Sequence, residues 1–326
     1  IGVDATLEGT ANTLDNSLAI VVADGGTVTD AGAINNLAAG SITFNGDGTL
    51  VSDNNSSGGE IITNDGAIIV NSGAGDLVTV TSPGITNQGT GSIAVNGGTL
   101  TYNGTITNTS TSANAVNVAV GAISNIDDLN TSAGTVTIAG TNTGNITGTG
   151  TAAIDISGGL VGDLVQGGSG ATDVSGSIDG VLTYTGSGTL DLDGTVTGAV
   201  TTSGTATIAS TSIDSLAVQA GGDATIDGAT IVTNATTNAA NLTVDATLST
   251  TSITNTASGV AGALDVNAAV TGNVINSGDA TIAANVDGSV TTQANGDTTF
   301  DGNSTVSGAL VTDANGATTI ASGTTQ

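Results

Sequence analysis

Apolar residues recur at regular distances along the C-terminal half of this chain. Segments of about 18 residues follow one another, and several open alike, as in Thr143-Gly-Asn-Ile146 and Thr197-Gly-Ala-Val200. The segments begin at Thr143, Val161, Asp179, Thr197, Asp214, Val232, Ser252, Thr271, Asp287 and Ser307. A period this short indicates one supersecondary unit that is stacked on itself.

Aligning the segments places apolar residues in two further columns, one at the middle of the repeat and one at its end. The middle column contains Ile154, Thr172, Leu190, Ile208, Ile226, Val244, Leu264, Ile282, Phe300 and Ile320. The end column contains Leu160, Ile178, Val196, Ile213, Ile231, Leu248, Val270, Val286 and Val306. Runs such as Ala206-Thr207-Ile208 alternate with period two, which is typical of strands. Thr and Val favour strands, and the Gly and Asn residues between the runs favour turns.

These patterns predict an all-β fold, a right-handed parallel β-helix (β-solenoid) with about 18–20 residues per coil. Each strand would pair with the equivalent strand one coil further on, and the apolar columns would become continuous inner ridges. Right-handedness is expected because parallel crossovers almost always have that hand. Each buried Val, Ile or Leu contributes roughly 1.5–3 kcal/mol, and with so few per coil the hydrogen bonds between coils must also matter.

The N-terminal half follows the same pattern at wider spacing. Ile62-Thr-Asn64, Ile85-Thr-Asn87 and Ile106-Thr-Asn108 repeat one motif, and Pro83 is the only proline. No proline-rich or charged linker separates the halves. We therefore predict a single continuous β-solenoid over residues 1–326, with looser coils and longer loops in 1–142 and regular coils in 143–326.

The composition restricts where such a protein could work. The chain contains no Lys, Arg, His, Cys, Met or Trp and carries a formal charge of -28. Nothing in it can neutralise nucleic-acid phosphates, and the charge disfavours an anionic membrane surface. No apolar run reaches the length of a transmembrane helix, and no signal-peptide pattern is present, so we expect no membrane insertion and a mature form if the protein is exported.

The missing residue types also have a protective interpretation. A chain without Lys, Arg, Cys or Met offers trypsin no cleavage site and leaves no sulfur to oxidise. A narrow solenoid by itself explains the scarcity of aromatic residues, but it does not explain the absence of Lys, which outward faces accept. We therefore expect an extracellular location.

Three segments carry a resemblance to a known class of proteins: Ile62-Thr-Asn-Asp-Gly-Ala-Ile68, Ile85-Thr-Asn-Gln-Gly89 and Val274-Ile-Asn-Ser-Gly-Asp-Ala-Thr-Ile282. They resemble the repeats of bacterial autotransporter passengers and β-strand-repeat surface proteins. The resemblance covers nearly the whole chain in style and implies a β-helical surface or secreted protein of a Gram-negative-type bacterium. The repeat pattern continues towards Gln326 without a segment like the autotransporter translocator barrel. We expect either that the barrel was removed or that this is a different kind of surface protein.

An acidic column follows the middle apolar column. Its acidic members are Asp155, Asp173, Asp191, Asp227, Asp245, Asp265 and Asp301, whereas Ala209, Ala283 and Ala321 interrupt it. Because side chains alternate along a strand, this column is expected to face outward. It could bind Ca²⁺, which prefers oxygen ligands, or form a solvated stripe that keeps the protein soluble. Both interpretations stay open, and no other cofactor is expected.

Two further motifs have ordinary explanations beside functional ones. Asp-Gly and Asn-Gly pairs are interpreted as turns rather than single Ca²⁺ corners; they occur at Asp24, Asp47, Asp65, Asp193 and Asn295. Asn-x-Ser/Thr sequons, expected mostly by chance in a chain rich in Asn and Thr, occur at Asn103, Asn108, Asn130, Asn145, Asn234, Asn241 and Asn303. Glycosylation at some of them remains an alternative.

Catalysis has little support in the sequence. Without His, Cys, Lys or Arg, the usual pairs of nucleophile and base cannot be built. Paired carboxylates can hydrolyse glycosides, but a glycan-degrading groove would be expected to carry aromatic and basic residues. We predict that the protein is not an enzyme.

The predicted function is therefore structural. We expect a subunit of a surface fibre, filament or sheath that binds itself head to tail through uncapped coil edges, with Ile1, Val3, Thr318 and Ile320 at the contact. The alternative is an adhesin passenger or a stalk that binds a host or surface ligand, and the sequence does not identify a glycan or other ligand.

Overall fold

The structure is a computed structural model that describes residues 6–9, 13–30, 32–52, 61–210, 212–256, 263–302 and 304–321, the first range by its backbone only. Its described residues form strands and turns without a helix, and the strands stack in parallel as a β-solenoid, which confirms the predicted fold. None of these residues belongs to a helix that could cross a membrane. The chain divides into two compact units, Ile1–Ser177 and Ile178–Gln326, which are described separately. The single continuous domain stays a prediction.

The first unit contains short strands, most of them three to five residues long. They are β1 (Thr6–Gly9), β2 (Leu14–Asn16), β3 (Ala19–Val22), β4 (Gly26–Asp30), β5 (Ile34–Asn36), β6 (Ser41–Phe44), β7 (Gly48–Ser52), β8 (Ile62–Asn64), β9 (Ala67–Asn71), β10 (Leu77–Thr81), β11 (Ile85–Asn87), β12 (Ser92–Gly97), β13 (Thr99–Asn108), β14 (Val116–Val118), β15 (Ile123–Thr131), β16 (Thr135–Ile138), β17 (Thr141–Gly148), β18 (Ala153–Ile156), β19 (Gly159–Val161), β20 (Leu164–Gln166) and β21 (Thr172–Val174). β22 (Ser177–Asp179) includes the last residue of this unit.

The second unit continues with strands of the same kind. They are β23 (Leu182–Tyr184), β24 (Thr189–Leu192), β25 (Thr195–Thr202), β26 (Thr205–Ile208), β27 (Ser212–Val218), β28 (Asp223–Ile226), β29 (Thr230–Ile231), β30 (Ala235–Asn238), β31 (Asn241–Val244), β32 (Leu248–Asn255), β33 (Leu264–Val266), β34 (Val270–Asn276), β35 (Asp279–Ile282), β36 (Val286–Asp287), β37 (Val290–Thr292), β38 (Asp297–Phe300), β39 (Leu310–Thr312) and β40 (Ala317–Ile320).

A coil consists of three consecutive strands, here called its first, second and third strand. In the coil β4–β5–β6, each strand pairs in parallel with its equivalent in the next coil, namely β7, β8 and β9. In some coils the first and second strands join into one long strand, as in β13, whose register with β15 shifts between Tyr102 and Thr105. Ladder hydrogen bonds therefore connect successive coils on every face.

The number of residues per coil varies more in the first unit than in the second. Ile42 pairs with Ile68, 26 positions further on, whereas Val136 pairs with Ile154 after only 18. In the second unit the distance ranges from the 16 positions between Leu190 and Ala206 to the 22 between Leu242 and Leu264. Corner loops absorb these differences, because the paired strands themselves stay in register.

The observed register corrects the predicted middle column. Leu190 pairs with Ala206, so Leu192 is the partner of Ile208. Each third strand has two inward positions, two residues apart, and the predicted column mixes them. The earlier position is occupied by Ile154, Thr172, Leu190 and Leu264. The later position is occupied by Ile208, Ile226, Val244, Ile282, Phe300 and Ile320. A shift of two residues keeps a side chain on the same face, so alternation alone could not detect it.

One residue of the predicted end column was placed on the wrong face. Ile231 is 52% exposed, whereas Val232 is 1% exposed and bridges to the buried Ile213. The other residues of the end column are buried, except for the half-buried Val306. The chain's four aromatic residues, Phe44, Tyr102, Tyr184 and Phe300, are all buried.

Candidate functional site

A row of buried asparagine side chains runs through the second strands of the first unit, and we call it the amide ladder. Its members are Asn16, Asn36, Asn64, Asn87 and Asn108, each 5% exposed or less. The Nδ2 atom of each asparagine donates a hydrogen bond of 2.7 Å to the Oδ1 atom of the next. The last amide donates to Thr131 Oγ1 at 2.9 Å.

Each amide of the ladder also binds the backbone of the following coil. The same Nδ2 atoms donate to carbonyl oxygens at or just before a third strand, at 2.9–3.2 Å; the acceptors are Ser41, Ala67, Ser92, Ala115 and Ala133. Both amide hydrogens are therefore used. Buried polar groups are tolerated when they are paired in this way, and a fully paired row fixes one register between coils.

The Ile-Thr-Asn motif explains why the sequence forms this row. In β8, Ile62 and Asn64 point inward and are fully buried, whereas Thr63 between them points outward. The corner that follows requires glycine, since a Cβ atom on Gly66 would collide with the carbonyl oxygens of Gly40 and Leu37. The sequence showed the repeated motif, but its asparagines were not recognised as inward-facing residues.

The second unit carries a shorter amide ladder with the same direction. Asn238 Nδ2 donates to Asn255 Oδ1, and Asn255 Nδ2 donates to Asn276 Oδ1, both at 2.8 Å. Asn276 donates to Thr298 Oγ1 at 2.9 Å. Earlier coils of this unit place Tyr184, Thr202 and Val218 in the equivalent position. Amide side chains are thus one of several solutions at this position.

Threonine hydroxyls continue this polar row into the last described coil. Thr292 Oγ1 donates to Thr298 Oγ1 at 2.8 Å, and it lies 3.0 Å from Thr318 Oγ1. Thr318 Oγ1 in turn lies 2.7 Å from Thr312 Oγ1. The network therefore ends at side chains of β39 and β40 that are partly or fully exposed.

The residues predicted for self-association are only partly described. Ile1 and Val3 lie outside the described residues. Thr318 and Ile320 both belong to β40, where Ile320 is 43% exposed although Phe300, its partner one coil earlier, is 2% exposed. Among the described residues, Ile320 is thus less covered than its partner one coil earlier.

The first described coil shows the same behaviour to a smaller degree. Leu14 and Ile20 are half-buried, whereas their register partners Ile34 and Ile42 are fully buried. Cover is therefore reduced at these two positions only, because Asn16 and Val22 of the same coil stay buried.

The seven aspartates of the predicted stripe do not share one column. Asp155 and Asp173 are register partners, but Asp191 pairs with Thr207, and Asp265 pairs with threonines on both sides. The other three, Asp227, Asp245 and Asp301, follow their strands at the turn. The alignment was wrong for the same reason as the middle apolar column, because a two-residue shift keeps the outward direction.

A calcium site in this region stays a prediction. Burial raises the pKa of Asp155, and the negative charge of the neighbouring Asp173 raises it further. In the described ranges no three acidic side chains gather closely enough to hold a metal ion.

Carboxylates at the Asp-Gly corners bind backbone instead. Asp24 Oδ1 accepts from Asp47 N at 3.1 Å, and Asp47 Oδ1 accepts from Leu77 N at 2.6 Å. These bonds join one coil to the next, so the acidic corners function as turns that also cap the following coil.

The sequons divide by burial. Asn108 belongs to the amide ladder and is inaccessible, whereas Asn103, Asn130, Asn145 and Asn234 are exposed and Asn241 is half-buried. Asn303 lies outside the described residues. Glycosylation at the accessible positions stays a prediction.

Two surface depressions among the described residues are small and uncharged. One of about 180 Å³ lies among Thr107, Asn130 and Thr147, and one of about 170 Å³ lies beside Tyr102. Both are smaller than the roughly 300–1,000 Å³ that is usual for small-molecule sites. Their hydroxyl and amide linings supply no strong nucleophile or base.

The two tyrosines differ in their hydrogen bonding. Tyr102 Oη donates weakly towards the carbonyl oxygens of Ser82 and Thr105, at 3.3 and 3.4 Å. Burial and the nearby Asp127 raise its pKa to about 12. Tyr184 Oη is buried without a partner among the described residues, and burial raises its pKa as well.

Comparison of the chain with protein-family models, with curated proteins and with solved structures finds no match.

Proposed function

We propose that this chain is a non-enzymatic structural protein of the bacterial cell surface that assembles end to end into a filament or sheath. The observation that carries the proposal is the exposure of the coil stack at β40. Ile320 is 43% exposed in a column whose preceding members, Phe300 and Ile282, are 2% and 0% exposed. One more coil of the same kind would bury it.

The backbone of β40 also offers hydrogen-bond donors at this edge. In this fold the N–H groups of inward residues donate to the following coil, as Ile154 N donates to Ala171 O and Leu242 N donates to Ala263 O. By this pattern the N–H groups of Thr318 and Ile320 point to a following coil. An exposed strand edge pairs readily with other strands. A second copy supplies matching strands by β-augmentation, and unlike ends produce an open filament.

The side-chain inventory supports a structural role over ligand binding. All four aromatic residues are buried, so the surface offers no aromatic platform for a sugar ring. The formal charge of -28 would keep adjacent filaments apart or let divalent cations join them. An extracellular setting fits a chain without Lys, Arg, Cys or Met.

Sedimentation of two lysine variants tests the proposal. Ile320→Lys places a charge on the inward face of β40, where a stacked coil would bury it, and should abolish large assemblies. Thr319→Lys adds the same charge on the outward face of the same strand and should assemble like the unmodified chain. Equal sedimentation of both variants as single chains or as polymers would contradict assembly through this edge.

A further inference from the structure

One outward face of the first unit is uncharged, although the chain carries a formal charge of -28. We call it the threonine face, and it consists of the outward residues of β4, β7 and β10, of β13 up to residue 103, of β15 up to residue 125 and of β17 up to residue 143. None of these described outward residues is acidic, and Asp30 at the end of β4 is fully buried. First strands of the second unit, by contrast, place Asp214 and Asp287 outward.

A column of register partners runs through the middle of the threonine face. Its members are Thr27, Thr49, Thr79, Thr101, Asn125 and Thr143. The strands pair here without a register shift, so neighbouring members are about 4.8 Å apart. Thr29, Thr99 and Thr141 lie two residues from the column along their own strands, which is about 6.6 Å. Hydroxyl and methyl groups therefore repeat regularly in two directions.

The hydroxyl groups of this column are available to a ligand. Those of Thr27, Thr49 and Thr79 bond to no described residue. Thr101 Oγ1 accepts a single long hydrogen bond of 3.3 Å, from Asn125 Nδ2. These side chains are half-buried between their neighbours, and a β-branched side chain has few allowed rotamers. The array is therefore ordered before any ligand arrives.

The size and composition of the threonine face limit what could bind it. It has no cation for a phosphate and no exposed aromatic ring for a sugar. The depression of about 170 Å³ beside Tyr102 lies on it and is too small for a usual small-molecule site. Six strands make a patch of about 24 Å by 13 Å, or roughly 300 Å², whereas a stable protein contact buries about 800 Å² on each partner.

We infer that the threonine face binds the surface of an ice crystal. The oxygen atoms of ice repeat in two dimensions at separations close to those between threonines on paired strands. A hydroxyl group both donates and accepts hydrogen bonds, as each water molecule in ice does, and methyl groups restrict the orientations of adjacent water. Carboxylates would instead hold water in the geometry of their own hydration shell. This site is additional to the proposed end-to-end assembly and does not depend on it.

Partition of the full chain into slowly growing ice tests this inference. Growing ice rejects dissolved proteins that do not bind it, so recovery of the unmodified chain in the ice fraction is the expected result. Thr79→Lys places a long charged side chain in the middle of the array and should be lost from the ice. The control Thr225→Lys makes the same change at a half-buried outward threonine of β28 and should be recovered like the unmodified chain. Exclusion of the unmodified chain, or equal recovery of the two variants, would overturn the inference.

A second position separates loss of binding from loss of folding. Thr101→Lys should also be lost from the ice, and circular dichroism should show the spectrum of the unmodified chain in both variants. If Thr79→Lys does not fold, Thr101→Lys decides the outcome against the same control. An unmodified chain that ice excludes, together with lysine variants that sediment differently from it at room temperature, would assign the face to contact between copies and overturn ice binding.

Discussion

The two units place different side chains at the inward end of the second strand. The first unit buries a row of amides there, from Asn16 to Asn108, whereas the second buries Tyr184, Thr202 and Val218 before its own amides begin. The position thus accepts apolar, aromatic and polar groups. Each asparagine of the two ladders, however, bonds to a polar group in the next coil, so these residues depend on one another along the stack.

Irregular coil length does not disturb this dependence. Asn36 and Asn64 are 28 positions apart, and Asn87 and Asn108 are 21 apart, yet both pairs bond at 2.7 Å. The unit with the less regular sequence therefore has the longer continuous ladder. Insertions are accommodated at corners, where loop length has only a small effect on free energy.

The largest expected effect comes from charging the longer ladder. Asn64→Asp removes the donor to Asn87 Oδ1 and to Ser92 O, and it buries a carboxylate that faces these two acceptors and keeps only the hydrogen bond from Asn36. We expect it to lower the free energy of unfolding at pH 7 by about 3–5 kcal/mol, and by less at acidic pH, where the carboxyl group is neutral. Chemical denaturation at both pH values measures this.

The matched control is Thr63→Asp, which adds the same charge on the outward face of the same strand. It should change stability by no more than about 0.5 kcal/mol. Similar losses in both variants would show that charge alone, and not the ladder, determines the effect. Asn255→Asp extends the test to the shorter ladder, where we expect a loss of similar size.

A smaller effect distinguishes the two buried tyrosines. Tyr184→Phe removes a hydroxyl that has no partner among the described residues, so it should leave stability unchanged or raise it by about 1–2 kcal/mol. Tyr102→Phe removes a weakly bonded hydroxyl and should lower stability by less than about 1 kcal/mol. Thermal unfolding of both variants shows which substitution lowers stability more. A larger loss of stability in Tyr184→Phe than in Tyr102→Phe would contradict the assigned hydrogen bonding.

The same tyrosines give a prediction about alkaline pH. The pKa of Tyr102 is about 12 in the folded chain and near 10 once unfolded, so the native state holds its proton longer. Its contribution to stability should be complete below about pH 10 and be lost as the pH rises towards 12. Absorbance titration of phenolate should show no ionisation of Tyr102 near pH 10 in native protein, whereas denatured protein should titrate there. Ionisation of both tyrosines near pH 10 in the native state would contradict their burial.

The smallest effect concerns the paired aspartates. The raised pKa of Asp155 means that the folded state binds its proton more readily than the unfolded chain does. Stability from this group is therefore greatest in acid and decreases as the pH rises through the folded pKa. Asp155→Asn should stabilise the protein at pH 7 by a fraction of a kcal/mol, since solvent screens the pair, and should have no such effect near pH 3. A stabilisation that is equal at both pH values would exclude repulsion by Asp173.

The solenoid itself could be predicted from sequence because its repeat and its alternation are both local patterns. The exact partner of each strand could not, since Leu190 and Leu192 are equally apolar and both face inward. A 16-residue coil moves the pairing by two positions without any change in alternation. The same two-residue shift places Asp191 and Asp227 in different register positions. The predicted aspartate stripe was therefore wrong for the same reason as the apolar column from which it was derived.

The amide ladder was missed for a different reason. A single asparagine in a strand is usually a surface residue, because burying an unpaired amide is unfavourable. Asn64 becomes a core residue only through Asn36 and Asn87, which lie more than twenty positions away on either side. The recurrence of Ile-Thr-Asn was the available signal. Because side chains alternate along a strand, an inward Ile implies an inward Asn two residues later, and applying this rule would have predicted the amide ladder.

Electron microscopy of the unmodified chain, negatively stained with and without millimolar Ca²⁺, tests end-to-end assembly most directly. Long, uniform, unbranched filaments are the predicted result. Filaments that require Ca²⁺ would additionally assign a role in assembly to the surface aspartates. Discrete single-chain particles in both conditions and at all concentrations would contradict the assembly and favour an adhesin or stalk.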